Sequence, residues 1–163
     1  MASPPPDLTT LLARLADSGV EFVLVGALAA VAQGAPLTTQ DVDIVHRRTG
    51  ENVERLLTLL GSIGARYRGH PADPPLRPMR ETLLGPGHQL LMTDLGMLDL
   101  LGVVEGERGY DDLATAAATI LVGGAPVHVL RLSALADLKR GSTAPKDRLT
   151  LAILEETLRR TGE

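Results

Sequence analysis

The sequence predicts an α+β fold, a mixed β-sheet with helices packed on it, and three observations lead there. Short runs of Val, Ile and Leu alternate with segments whose apolar residues recur at helical spacing. Two pairs of strand-like runs are joined by turn-like, Gly-containing tetrapeptides or dipeptides, which marks hairpins. At 163 residues with 44% hydrophobic content, the chain can build one substantial core and is short for two. The expected organisation is a flexible Pro-rich stub over residues 1–7 and a single domain over residues 8–163.

Leu8, Leu11, Leu12 and Leu15 form an i, i+3, i+4, i+7 stripe, with Asp7 as N-cap and Gly19 past the helix end. Glu21 to Val25 is a short apolar strand running into Gly26. Ala27 to Gln33 favours helix by composition, and Gly34 and Pro36 stop it. Asp41 to His46 is a second strand. Thr49 or Gly50 opens a helix striped by Val53, Leu56, Leu57 and Leu60, closing near Gly61 or Gly64. Arg68 to Gly87 contains five prolines and is expected as a long loop, of the kind that is usually functional or disordered.

His88 to Met92 and Met97 to Val103 read as strands joined by Thr93 to Gly96. Asp111 to Thr119 is Ala-rich and expected as helix. Thr119 to Val122 and Val127 to Leu130 flank Gly123-Gly124 as a second hairpin. Ser133 is expected to cap a short helix reaching about Arg140, and a last helix follows Pro145 to the carboxyl end.

Composition excludes several function classes. Phe22, Tyr67 and Tyr110 are the only aromatic residues, too few for a base-stacking platform, and a net charge of −4 argues against a broad phosphate-binding surface. Without cysteine there are neither disulfides nor thiolate metal sites. Residues 1–7 lack the basic and apolar regions of a signal peptide, and no apolar run spans a bilayer, so a soluble, cytoplasmic protein is expected.

The chemistry lies in three carboxylates. Asp is disfavoured in strands, yet Asp41 and Asp43 flank Val42 and lead into Ile44-Val45. Strand alternation turns both to one face, where they repel unless something positive lies between them. A divalent cation with a preference for hard oxygen ligands resolves the conflict. Asp99, within Gly96-Met97-Leu98-Asp99-Leu100-Leu101, is expensive to bury uncompensated. If its strand lies beside Asp41 to Val45, the three converge, and a two-metal site with ions about 4 Å apart becomes possible. Alone, the Asp-x-Asp also fits a solvated strand start, and Asp99 a sheet edge.

Val23-Leu24-Val25-Gly26-Ala27-Leu28-Ala29-Ala30, then Gly34, then Thr39-Gln40-Asp41-Val42-Asp43-Ile44-Val45, resembles the signature of the polymerase-β-like nucleotidyltransferase superfamily. In that signature a strand ends in Gly-Gly or Gly-Ser, a short helix follows, and Asp-x-Asp opens the next strand; a later Asp, here Asp99, completes it. The likeness is greatest to small stand-alone bacterial members, including those of toxin–antitoxin systems, and Pro145-Lys146-Asp147 is similar to their Lys-Asp pair. The resemblance implies the nucleotidyltransferase fold, with Asp41, Asp43 and Asp99 as catalytic and metal-binding residues. It further implies Gly26, Ala27, Thr39 and Lys146 as nucleotide-binding residues and Mg2+ or Mn2+ as cofactor. The implied reaction moves an NMP from an NTP to a hydroxyl, with pyrophosphate release. The acceptor stays open among a small molecule, a protein and an RNA end, as does a protein partner or homo-oligomer.

Two positions depart from the pattern. Ala27 replaces the usual Ser or Gly, and Leu37 occupies a place where many relatives carry Arg four residues before the first Asp. They motivate a second reading, a catalytically degenerate binding module of the same fold acting through a protein partner, such as a toxin–antitoxin component. A metal-dependent phosphodiesterase or nuclease ranks third, since no His and Lys constellation accompanies the carboxylates. Arg66, Arg68, Arg77 and Arg80 surround the Pro-rich loop, where they either steer an anionic substrate or are simply solvated. Asp147 also suits a helix N-terminal turn. His46 falls on the face opposite Asp41 and Asp43, and His70, His88 and His128 have no metal-ligand spacing.

Overall fold

The computed structural model describes residues 5–163. Seven strands form one mixed sheet: β1 (Phe22–Val25), β2 (Asp41–His46), β3 (Arg66–Tyr67), β4 (His88–Thr93), β5 (Gly96–Leu101), β6 (Ala117–Val122) and β7 (Ala125–Leu130). Their spatial order is β3-β4-β5-β2-β1-β7-β6. β2 lies parallel to β5 and antiparallel to β1, β1 lies parallel to β7, and β3-β4, β4-β5 and β6-β7 are antiparallel. The helices are α1 (Leu8–Asp17), α2 (Gly26–Ala32), α3 (Gly50–Ser62), α4 (Arg80–Leu84), α5 (Tyr110–Ala114), α6 (Leu132–Arg140) and α7 (Pro145–Thr161).

Local chemistry accounts for the expected elements. Asp7 caps α1 by accepting the Thr10 N–H at 3.0 Å, and Leu11, Leu12 and Leu15 are buried beneath the helix. Of the expected stub, residues 1–4 lie outside the described residues, and the Asp7 N–H donates to the Leu95 carbonyl at 2.9 Å. Thr49 caps α3, whose Val53, Leu56, Leu59 and Leu60 are buried. The two strands at the centre of the sheet bury Val42, Ile44, Leu98 and Leu100 completely on one face. His46 shares that face, and its Nε2 lies 2.8 Å from the Leu83 carbonyl of α4.

Four expectations are corrected. The segment from Arg68 to Gly87 is not all loop: β3 immediately precedes it and α4 lies within it, with Leu83 fully buried. The prolines obscured a short helix that tertiary burial holds in place. The Ala-rich helix stops at Ala114, because Ala117 and Ala118 pair with Leu130 and Val129. Cross-strand hydrogen bonds there outweigh a modest helix preference. β5 ends at Leu101, since at Gly102 the chain passes against the Gly85-Pro86 backbone, where a Cβ would sit 2.6 Å from the Pro86 carbonyl carbon. Finally, Ser133 is the second residue of α6 and not its cap. The first free N–H of that helix, on Leu132, is taken by Gln33 Oε1 at 3.2 Å. Gln33 also donates to the carbonyls of Ala29 and Leu130, tying α2 to β7 and α6.

Candidate active site

The register of the central strands assembles the carboxylates. β2 and β5 run parallel with Asp43 beside Asp99 and Asp41 beside Met97, so all three Asp side chains leave the same face of the sheet. One carboxylate oxygen from each of Asp41, Asp43 and Asp99 lies within 4.8 Å of the other two. The opposite face is closed by core, whereas this one opens into a cleft of about 560 Å³ bounded by α2, α6, α7 and the segment 37–40.

Gly26 makes the approach possible. Its φ is +73°, a left-handed conformation that side chains rarely adopt, and a Cβ added there would collide with Asp43 Oδ2. The turn from β1 into α2 thus passes directly over the carboxylate cluster. Ala27, the next residue, lines the cleft without a hydroxyl. Thr39 lines it too, but its hydroxyl accepts the Asp41 N–H at 3.3 Å and donates to the Asp41 carbonyl at 3.1 Å. It braces the start of β2 and so fixes where Asp41 points.

The cluster is short of positive charge. Burial, followed by the negative charges of Asp99 and Asp41, pushes the Asp43 carboxyl up to about 7, while Arg68 pulls it the other way. Buried Asp43 Oδ1 has no hydrogen-bond partner. Arg68 Nη1 stands 2.7 Å from Asp99 Oδ1, yet the contact lacks hydrogen-bond alignment, so that buried oxygen too is without a hydrogen bond. One guanidinium, beside Asp99, therefore accompanies a cluster of three carboxylates with two unsatisfied buried oxygens. Hard oxygen donors converging in this way fit a divalent cation such as Mg2+ or Mn2+.

Across the cleft, α6 and α7 supply two lysines. Lys146 lines the cleft at the start of α7. Lys139, near the end of α6, lines it as well and pairs with Asp147 at 3.2 Å. Asp147 also accepts from the Ser142 hydroxyl at 2.7 Å; the Ser142 and Lys139 bonds together hold its carboxyl below the ordinary carboxylate value. Lys139 was not singled out from sequence, because nothing local shows that the end of α6 folds back beside the start of α7. Its distance of eight residues from Asp147 across a Gly-Ser-Thr turn was the available signal.

The four loop arginines have separate fates. Arg68 reaches the cluster, Arg66 pairs with Asp94, Arg80 pairs with Glu54, and Arg77 is exposed. Leu37 lines the cleft, so no cation stands at that position. His46 is buried away from the carboxylates, and burial keeps it below the ordinary imidazole value.

No protein-family model matches the chain, and no curated protein is significantly similar to it in sequence. Solved structures are similar in fold. A Thermotoga maritima protein, TM1012, whose assignment as a nucleotidyltransferase is provisional, matches over 94% of this chain and 91% of its own, with a TM-score of 0.55 and 20% identity. The lincosamide antibiotic adenylyltransferase LnuA, solved with lincomycin bound, matches over 92% and 95%, with a TM-score of 0.61 and 12% identity. The antibiotic-resistance factor ANT(2'')-Ia matches over 93% and 82%, with a TM-score of 0.56 and 14% identity. The chain has the nucleotidyltransferase fold, an α+β architecture with a mixed seven-stranded sheet.

Proposed function

We propose that the protein is a metal-dependent nucleotidyltransferase that moves an NMP from an NTP to an acceptor hydroxyl and releases pyrophosphate. The observation that carries this reading is the convergence of Asp41, Asp43 and Asp99 within 4.8 Å beneath the glycine turn of Gly26. Asp41 and Asp43 would hold the cation together with the triphosphate, and Asp99 would complete the site. A divalent cation there supplies charge neutralisation of the phosphates and lowers the pKa of a bound hydroxyl.

The remaining chemistry belongs to the chain. Gly26 lets the main chain pass against Asp43, and the small Ala27 beside it leaves the cleft open for phosphate oxygens. Lys139 and Lys146 face the same cleft and offer positive charge to the β- and γ-phosphates. Asp99 stands on the side of the cluster that borders β4, where its paired neighbour Leu90 is 46% exposed, so an acceptor can approach from there. The acceptor oxygen bonds to the α-phosphorus as the bond to the pyrophosphate oxygen breaks. Asp99 is placed to help take the hydroxyl proton, as general base or as ligand.

Leu37 and Ala27 in the cleft favour a second reading, a binding module of the same fold without turnover that works through a protein partner. One assay separates the two. Purified protein is incubated with each NTP, Mg2+ or Mn2+, and a panel of hydroxyl-bearing acceptors, and pyrophosphate is measured. The transferase reading expects release by the wild type and background release by Asp41→Ala/Asp43→Ala. Equal signals from both proteins overturn it.

A further inference from the structure

Among the described residues, Arg68 alone forms an ion pair with any of the three carboxylates. Its guanidinium does not depend on Asp99 for its position. The same Nη1 that faces Asp99 Oδ1 at 2.7 Å donates an aligned hydrogen bond to the Leu91 carbonyl at 2.8 Å. The Arg68 main-chain N–H donates to the Leu90 carbonyl at 3.0 Å, which fixes the base of the side chain against β4. Arg68 and Asp99 are 23% and 13% exposed, so solvent screens the pair poorly. Asp99 Oδ1 retains its hydrogen-bonding capacity, since the guanidinium meets it by charge and not by an aligned bond.

We propose that Arg68 is a built-in counter-ion that competes with the divalent cation for Asp99 and holds the site weak for free metal. A cation arriving at Asp99 meets a positive charge anchored through Leu91 and unable to withdraw freely, and repulsion at this separation in a partly buried site is substantial. The NTP brings the negative charge that offsets Arg68, so metal and nucleotide occupy the site together and not separately. The inference rests on the metal-dependent reading above and names how that site is regulated. Arg68 is a positioning residue, acting through Asp99.

The test is direct Mn2+ binding, followed by the loss of the free-ion paramagnetic resonance signal in nucleotide-free protein. Wild type, Arg68→Lys, Arg68→Gln and Arg68→Ala are compared, with Asp41→Asn added in the Arg68→Gln background. Removing the charge is expected to tighten Mn2+ binding roughly tenfold in Arg68→Gln and Arg68→Ala, while Arg68→Lys stays within about threefold of wild type. Asp41→Asn should cancel the gain, locating it at the carboxylates. Binding by the neutral variants that is equal to or weaker than wild type overturns the inference and leaves the metal site standing. Failure of every variant to bind Mn2+, with or without NTP, overturns the metal-dependent reading and this inference with it.

Discussion

Asp43 and Gly26 are best understood together. Asp43 sits under a glycine turn too close for any side chain, where burial and the neighbouring carboxylates act against its charge. Its folded-state carboxyl is raised from the ordinary 3.8 to about 7, chiefly by burial and then by Asp99 and Asp41. Between those values the folded protein binds a proton that the unfolded chain does not, so stability is greatest below the window and falls as pH rises through about 7. Metal-free protein is therefore expected to melt at a higher temperature near about pH 6 than near about pH 8, other groups aside. Asp43→Asn should raise the melting temperature at the higher pH and flatten the difference. Scanning calorimetry in the presence of a chelator measures both, and an Asp43→Asn protein with an unchanged pH profile would refute the assignment of the burden to this residue. Much of this was legible beforehand. Strand parity puts Asp41 and Asp43 on one face, and the family resemblance implies Gly26 as a nucleotide-binding residue after β1. The collision between a Gly26 Cβ and Asp43 Oδ2 was not legible, because it depends on how tightly α2 lies over β2.

Elements show where local pattern stops being informative. α3 follows its cap and stripe because Thr49 and the Val53-Leu56-Leu60 series agree with each other. β6 does not follow its alanines, because its partner strand decides the matter through the Ala117–Leu130 and Ala118–Val129 pairs. α4 is a single turn and a half among prolines, held by the burial of Leu83, the His46 contact to the Leu83 carbonyl and the Arg80–Glu54 pair. α6 and α7 were expected, but not that their junction brings Lys139 beside Asp147 at the mouth of the cleft. That junction has a consequence for nucleotide binding. With Leu37 apolar and Ala27 lacking a hydroxyl, the lysines on these two helices are the cations of the cleft wall. Lys146→Ala is expected to raise the KM for NTP by about tenfold with a smaller effect on kcat, the pattern of a contact made equally in the ground and transition states. Steady-state kinetics with varied NTP tests it, and an unchanged KM would remove Lys146 from the triphosphate site.

The whole molecule divides its two sheet faces between stability and chemistry. One face buries Val42, Ile44, Leu91, Leu98 and Leu100 completely; the other presents Asp41 and Asp43 to a cleft lined by α2, α6 and α7, with Asp99 beside Asp43 on β5. The α+β class was readable from alternating and periodic apolar runs, and the proximity of the Asp99 strand to the Asp41 strand was a condition that the β2-β5 pairing meets. The full strand order was not readable, since parallel pairing between β2 and β5, whose partners such as Asp41 and Met97 lie 56 positions apart, leaves no local mark. Arg68 illustrates the same limit: its sequence neighbourhood is a Pro-rich segment, and its partner, Asp99, lies two strands away. The reading as a transferase comes down to whether those carboxylates hold a cation together with a nucleotide. Crystals soaked with Mn2+ and a non-hydrolysable NTP, measured at the manganese edge, address that point. The expected result is anomalous density among Asp41, Asp43 and Asp99, with the triphosphate against Gly26 and toward Lys139 and Lys146. Ordered nucleotide or manganese found elsewhere, with the three carboxylates bare, would show that the cluster is not the reaction centre.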